Sequence, residues 1–98
     1  MKIVLSNEAI DDTNSIYKYI SRDSIKYARK TIEDIRIKIR ILKEQPYIGR
    51  KVPEFDDEYL RELLYKSYRI IYEIEEDTIN IKTVLHGSKD LNNQHYKF

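Results

Sequence analysis

The chain has 98 residues, 41% of them apolar and 36% charged, with a formal net charge of +1. That length leaves room for one domain, spanning 1–98, with a modest core that buries about 60–65% of the unfolded surface. Two Gly and two Pro argue against a loop-rich or disordered chain, and the absence of Cys excludes disulfides, thiolate metal sites and thiol nucleophiles. The opening MKIVLSNEAI has no apolar run of signal-peptide length, and no stretch approaches the roughly 20 apolar residues of a membrane span. The expectation is a cytoplasmic protein with no membrane partner. Its near-neutral charge also argues against direct DNA binding.

Lys2 to Leu5 reads as a short strand. Ser6 or Asn7 can cap a helix, and Glu8, Asp11 and Asp12 suit the positive end of its dipole. Ala9, Thr13, Ile16, Tyr17 and Ile20 then share one helical face. Asp23 or Ser24 opens a second, longer helix with Ala28, Ile32, Ile35, Ile39 and Leu42 as its apolar stripe. Pro46 places its end at or near Gln45. The break near Arg22 folds the two helices back on each other. Between Ser24 and Gln45 stand seven Lys or Arg against three acids, a local excess of +4 that a solvated helix face would also carry.

Tyr47 to Glu58 reads as a loop. Three strand-like runs follow, Tyr59–Tyr65, Tyr68–Ile74 and Thr78–Leu85, joined by hairpin-length links. A polar ending after Leu85 suggests a short helix or tail. The order predicts an α+β fold: an N-terminal strand and a helical hairpin packed on one face of a small, mainly antiparallel four-stranded sheet.

Strand alternation places Ile70, Tyr72 and Ile74 on one face and Arg69, Ile71 and Glu73 on the other. In the last strand it turns Ile79, Ile81, Thr83 and Leu85 toward the helices. The face left open then carries Arg69, Glu73, Lys82 and His86, with Ile71 and Val84 among them. Such a mixture of cations, one His and aliphatics is a candidate binding surface, and equally an ordinary half-wet sheet face. His86 can serve as acid or base near neutral pH, although a single His at a strand end is commonly structural. His95 lies in the polar tail. Two separated His without Cys give no metal-ligand cluster. There is no nucleophile elbow, phosphate loop or dinucleotide fingerprint, so no cofactor is expected. The nine Tyr could stack on bases, but Tyr17 and Tyr72 look like core.

Four stretches taken in order carry a resemblance. They are Leu42…Pro46…Gly49-Arg50…Val52-Pro53-Glu54, then Leu60-Arg61-Glu62-Leu63, then Tyr68-Arg69-Ile70-Ile71-Tyr72. The last is Val84-Leu85-His86-Gly87-Ser88-Lys89-Asp90-Leu91. They follow the helical hairpin, and with it the pattern covers nearly the whole chain, which resembles the ParE/RelE family of toxins from type II toxin–antitoxin systems, including plasmid stabilisation proteins. The resemblance implies a neighbouring gene for an antitoxin that wraps a segment over the toxin, with Ile71, Lys82, Val84, Lys89 and Arg50 as partner-binding candidates. RelE-like members cut mRNA on the ribosome; that mechanism would make Arg61, Arg69 and His86, with Glu54, catalytic. ParE-like members instead bind and poison DNA gyrase. Lys89 stands where the family ending more often has Arg, which keeps the charge but loses bidentate geometry. The His-Gly-Ser-Lys-Asp-Leu ending and the low net charge favour the ParE-like branch. Tyr96 is a weak match to the nuclease tyrosine. A non-toxic relative that only binds an antitoxin is the third reading.

Overall fold

A computed structural model describes residues 1–89 and 91. Its elements are β1 (Lys2–Leu5), α1 (Asn7–Ser21), α2 (Ile25–Ile41), β2 (Arg50–Lys51), β3 (Leu60–Tyr65), β4 (Tyr68–Glu75) and β5 (Thr78–His86). The sheet order is β1-β5-β4-β3-β2, with β1 parallel to β5 and the remaining pairs antiparallel. The α+β architecture read from the sequence stands. The expected loop also contributes a fifth strand, only two residues long, which pairs Arg50 and Lys51 with Glu62 and Arg61.

Serines start both helices. The Ser6 hydroxyl accepts from the Ala9 N–H at 3.0 Å and donates to the Lys82 carbonyl at 2.8 Å, so one cap also fastens α1 to β5. Ser24 caps α2 by accepting from the Tyr27 N–H at 3.0 Å. Regular helix stops at Ile41, four residues before Gln45. The N–H groups of Leu42, Lys43 and Glu44 reach back three residues and tighten the chain into turns ahead of Pro46. The buried side of α2 is Ala28, Thr31, Ile35, Ile39 and Leu42. Ile32 sits one step round the helix, half-buried, in the seam beside Thr13 and Tyr17 of α1.

Two apolar clusters sandwich the sheet. Between sheet and helices lie Ala9, Ile35, Ile39, Leu42, Ile70, Tyr72, Ile79, Ile81 and Val84, among others. On the opposite face Leu60, Ile71 and Leu85 are covered by Val52, Phe55 and Leu91. The face expected to be open is therefore roofed at its centre.

The expected face assignment of β5 is corrected by a bulge. Ile71 pairs with Thr83 and Tyr72 with Ile81, which leaves Lys82 as an extra residue and shifts the alternation beyond it. Val84 consequently turns into the helix-side core and Leu85 into the outer one. Thr83 donates its hydroxyl to Asp12 of α1, whose carboxylate also accepts from the Val84 N–H at 2.9 Å. Asp12 thus satisfies the stretch of β5 that β1 is too short to reach.

Candidate functional site

Arg69 on β4 and Glu62 on β3 point from the outer sheet face toward the segment after β2. Arg69 donates from Nε to Glu62 at 2.7 Å and grips both oxygens of Glu54 through its terminal nitrogens, at 2.8 and 2.7 Å. One terminal nitrogen also donates to the Lys89 carbonyl at 3.2 Å. The second oxygen of Glu62 accepts from Arg50 Nε at 2.6 Å. Glu54 in turn accepts the Leu91 N–H at 3.2 Å. Two cations and two carboxylates therefore tie β3, β4, the segment before β3 and the chain after β5 into one clasp.

Burial makes the clasp stringent. The Glu62 side chain is fully buried and that of Arg69 only 7% exposed. Charges so placed are tolerated because each has opposite charge and hydrogen bonds in contact. The Arg69 hydrogen bonds hold Glu54 down at a pKa of about 2 against the opposing effect of burial, with the Leu91 amide helping. Glu54, followed by Glu62, raises the Arg69 pKa against the same desolvation.

The other expected site residues fall into separate arrangements. Arg61 is a staple for the preceding loop. It donates to the Glu58 and Gly49 carbonyls, both at 2.9 Å, and to the Glu58 carboxylate at 2.6 Å. Its guanidinium also stacks 5.0 Å from the Tyr47 ring centre. His86 is exposed, edge-on to Tyr68 with ring centres 6.1 Å apart. The Ser88 N–H donates to His86 Nδ1 at 3.2 Å, and the Ser88 hydroxyl lies 2.8 Å from the same nitrogen. Lys89 is exposed. Lys82 is partly buried and paired with Glu73 at 3.3 Å. The expected exposure of Ile71 and Val84 is corrected outright: they are 0% and 2% exposed, one in each apolar cluster. His95, Tyr96 and the expected C-terminal helix or tail lie outside the described residues.

A groove of about 510 Å³ brings His86, Glu54, Arg69 and Arg50 together with Lys66, and leaves Arg61 out. Its exposed cations are already engaged: the Arg50 side chain, more than half exposed, is paired with Glu62, and Lys66 donates to the Tyr27 hydroxyl at 3.1 Å. A carboxylate with a pKa near 2 is a poor base at neutral pH, and an arginine clasped from three sides has no face left for a phosphate. The interior of the arrangement ties four segments together. Among the described residues no group of His, Cys, Asp and Glu is arranged to hold a metal ion, and no helix is long and apolar enough to cross a membrane.

Sequence reasoning missed Glu62 and Asp12. Glu62 did leave a signal: it stands in phase with Leu60 on the buried side of a strand, a position that demands a partner cation.

Residues 3–91 match the family model described as the ParE toxin of the type II toxin–antitoxin system, parDE. Comparison with curated protein sequences finds none that matches. Among solved structures, one described as a chromosomal ParDE toxin–antitoxin system from P. aeruginosa superposes with a TM-score of 0.73 at 19% identity. That match covers 88% of this chain and 95% of that one. At such identity the likeness is one of fold.

Proposed function

Because the chain belongs to the ParE toxin family of type II toxin–antitoxin systems, we propose that it inhibits DNA gyrase by binding, and that its antitoxin neutralises it. The observation that carries the proposal is the state of Arg69. A nuclease of this fold needs cations and a base turned toward the RNA. Here Arg69 is spent on Glu54 and Glu62, Glu54 is held as a weak base, and Arg61 is spent on the loop before β3. What remains is a rigid, charge-balanced surface suited to recognition. Both the antitoxin and gyrase would be met in the cytoplasm.

The test is a supercoiling assay with purified gyrase and a titration of the toxin. Inhibition that the antitoxin reverses is the expected result; gyrase untouched at a large molar excess would sink the proposal. A second reading, ribosome-dependent mRNA cleavage, is favoured by one observation: Arg50, Lys66 and His86 line one groove. Pulse labelling after induction separates the two. Thymidine incorporation falling before methionine incorporation supports gyrase, and the reverse order supports mRNA. If neither falls, the non-toxic, antitoxin-binding relative is the surviving reading.

A further inference from the structure

At the end of the sheet where β3 turns into β4, the helical hairpin and the strands do not close on each other. A pocket of about 600 Å³ lies between them, lined from α1, α2, the Lys66-Ser67 turn and the end of β5. Three aromatic rings meet there: Tyr19 of α1, Tyr27 near the start of α2 and Tyr68 of β4. Burial, and then the nearby Tyr27 and Tyr19, push the Tyr68 phenol pKa up, as hydroxyls converging on one space do.

The charge of the pocket is one-sided. Its single lining acid, Asp12, is spent on β5, where it takes the Thr83 hydroxyl and the Val84 N–H. Lys66, His86 and Lys89 line it as exposed residues. Lys66 donates to the Tyr27 hydroxyl at 3.1 Å, which uses one of its three ammonium hydrogens, and it sits 4.9 Å from the Tyr27 ring centre. Lys89 is held by its carbonyl, which Arg69 takes, and its ammonium has no partner among the described residues. The lysine at 66 also stands against the preference of its backbone. Its φ is 50°, in the left-handed region that Gly or Asn fills at less cost.

We propose that this pocket binds a nucleoside monophosphate as an effector, its base among Tyr19, Tyr27 and Tyr68 and its phosphate against Lys66, Lys89 and His86. The inference goes beyond the proposed function and holds whichever target the toxin has. The volume lies within the range of about 300–1,000 Å³ usual for small-molecule sites. Tyrosine rings offer stacking to any base, and their hydroxyls offer polar contacts at its edge. Two ammonium groups suit a dianionic phosphate and repel the cationic ligands that tyrosines alone could cage. No bond is made or broken there, since Glu54, Arg61 and Arg69 are outside the lining. Bound in this pocket, the nucleotide joins both helices to the β3–β4 turn and to the chain after β5, and stabilises the fold by linkage.

The experiment is an NMR amide-shift titration of the full chain with AMP, GMP, CMP and UMP, with adenosine and inorganic phosphate as separate arms. Lys66→Gly and Lys89→Gln are titrated in parallel, and circular dichroism checks their fold. The first removes an ammonium while easing the backbone; the second changes an exposed side chain. The expected result is saturable shifts at Tyr19, Tyr27, Lys66 and His86 with at least one mononucleotide. Adenosine and phosphate should each bind about tenfold more weakly or worse, and Lys66→Gly should weaken the nucleotide by about tenfold. No saturation with any of the four nucleotides overturns the inference, and so does native affinity in both variants. Adenosine or phosphate alone binding as tightly as the nucleotide also overturns it, the latter leaving an adventitious ion only. A short single-stranded RNA that binds about tenfold more tightly at the same amides overturns it in favour of an RNA path.

Discussion

Arg69 and Glu54 form a two-pronged pair. Both terminal nitrogens of the guanidinium meet both oxygens of the carboxylate, at 2.8 and 2.7 Å, although 15 residues separate them along the chain. The pair holds the segment after β2 against β4, and the fully buried Glu62 completes it from the other side. In this geometry the arginine that a nuclease would turn toward substrate turns instead into its own protein.

Arg69→Ala should therefore act on stability before it acts on any target. It leaves Glu62 buried without its main cation, a loss of about 3–5 kcal/mol. Urea unfolding at neutral pH measures it. Replacing Arg69 with Met and Glu62 with Leu together should recover much of that loss, since the desolvation of both charges disappears. A stable single Arg69→Ala variant would show that the clasp contributes little.

Acid should weaken the same clasp. Glu54 has its folded pKa near 2, below the ordinary 4.5, so its contribution to stability is complete above about pH 4.5 and declines as pH falls toward 2. The full effect is about 3 kcal/mol. Arg69 stays protonated throughout, so the slope belongs to the carboxylate. Comparing unfolding free energies at pH 7 and pH 3 should show a smaller drop for Glu54→Gln than for the native chain.

Much of this molecule was legible because short-range chemistry dictates it. Ser6 and Ser24 announce both helices, and the link Lys66-Ser67 fixes an antiparallel pair. The reversal beyond Lys82 was hidden because a bulge depends on what borders the strand. Asp12, 72 residues away, takes the Val84 N–H. Ile71 misled differently: alternation gave its face correctly, but not that Val52, Phe55 and Leu91 would cover that face. The clasp was half visible. Arg69 and Glu54 stood out as residues, but their mutual neutralisation requires the loop to be folded over the sheet.

Gly49 fits where no other residue can. A Cβ there would lie 2.5 Å from the Tyr72 hydroxyl and 2.6 Å from the Glu62 carbonyl oxygen. That hydroxyl accepts from the Gly49 N–H at 3.0 Å and donates to the Pro46 carbonyl at 2.7 Å. Gly49→Ala should cost about 1–3 kcal/mol through overpacking. Tyr72→Phe should cost about 1–3 kcal/mol through two unanswered backbone groups. Thermal unfolding of the singles and the double tests the link: a shared contact predicts a total below the sum.

Thr31 offers a gain. It is 2% exposed in the middle of α2, and its hydroxyl has no hydrogen-bond partner among the described residues. Thr31→Val keeps the shape and removes a buried polar group left unsatisfied. It should raise stability by about 1 kcal/mol or more. A decrease in the urea midpoint would mean that the hydroxyl is satisfied after all.

His86 separates the functional readings with the least structural damage. Its ring is exposed, touching Tyr68 edge-on and Ser88 through Nδ1. His86→Ala should shift stability by only about 0.5 kcal/mol, the range usual for surface positions. Loss of Arg69 damages the fold; loss of His86 should test chemistry alone. If the toxin acts by binding gyrase, His86→Ala should still arrest growth at close to the native expression threshold. If it cuts mRNA, removal of the imidazole should abolish that arrest with the fold intact, because proton transfer by a positioned side chain is worth about 10²–10⁴-fold in rate. Growth arrest scored against induction level, with circular dichroism confirming the fold, decides between them.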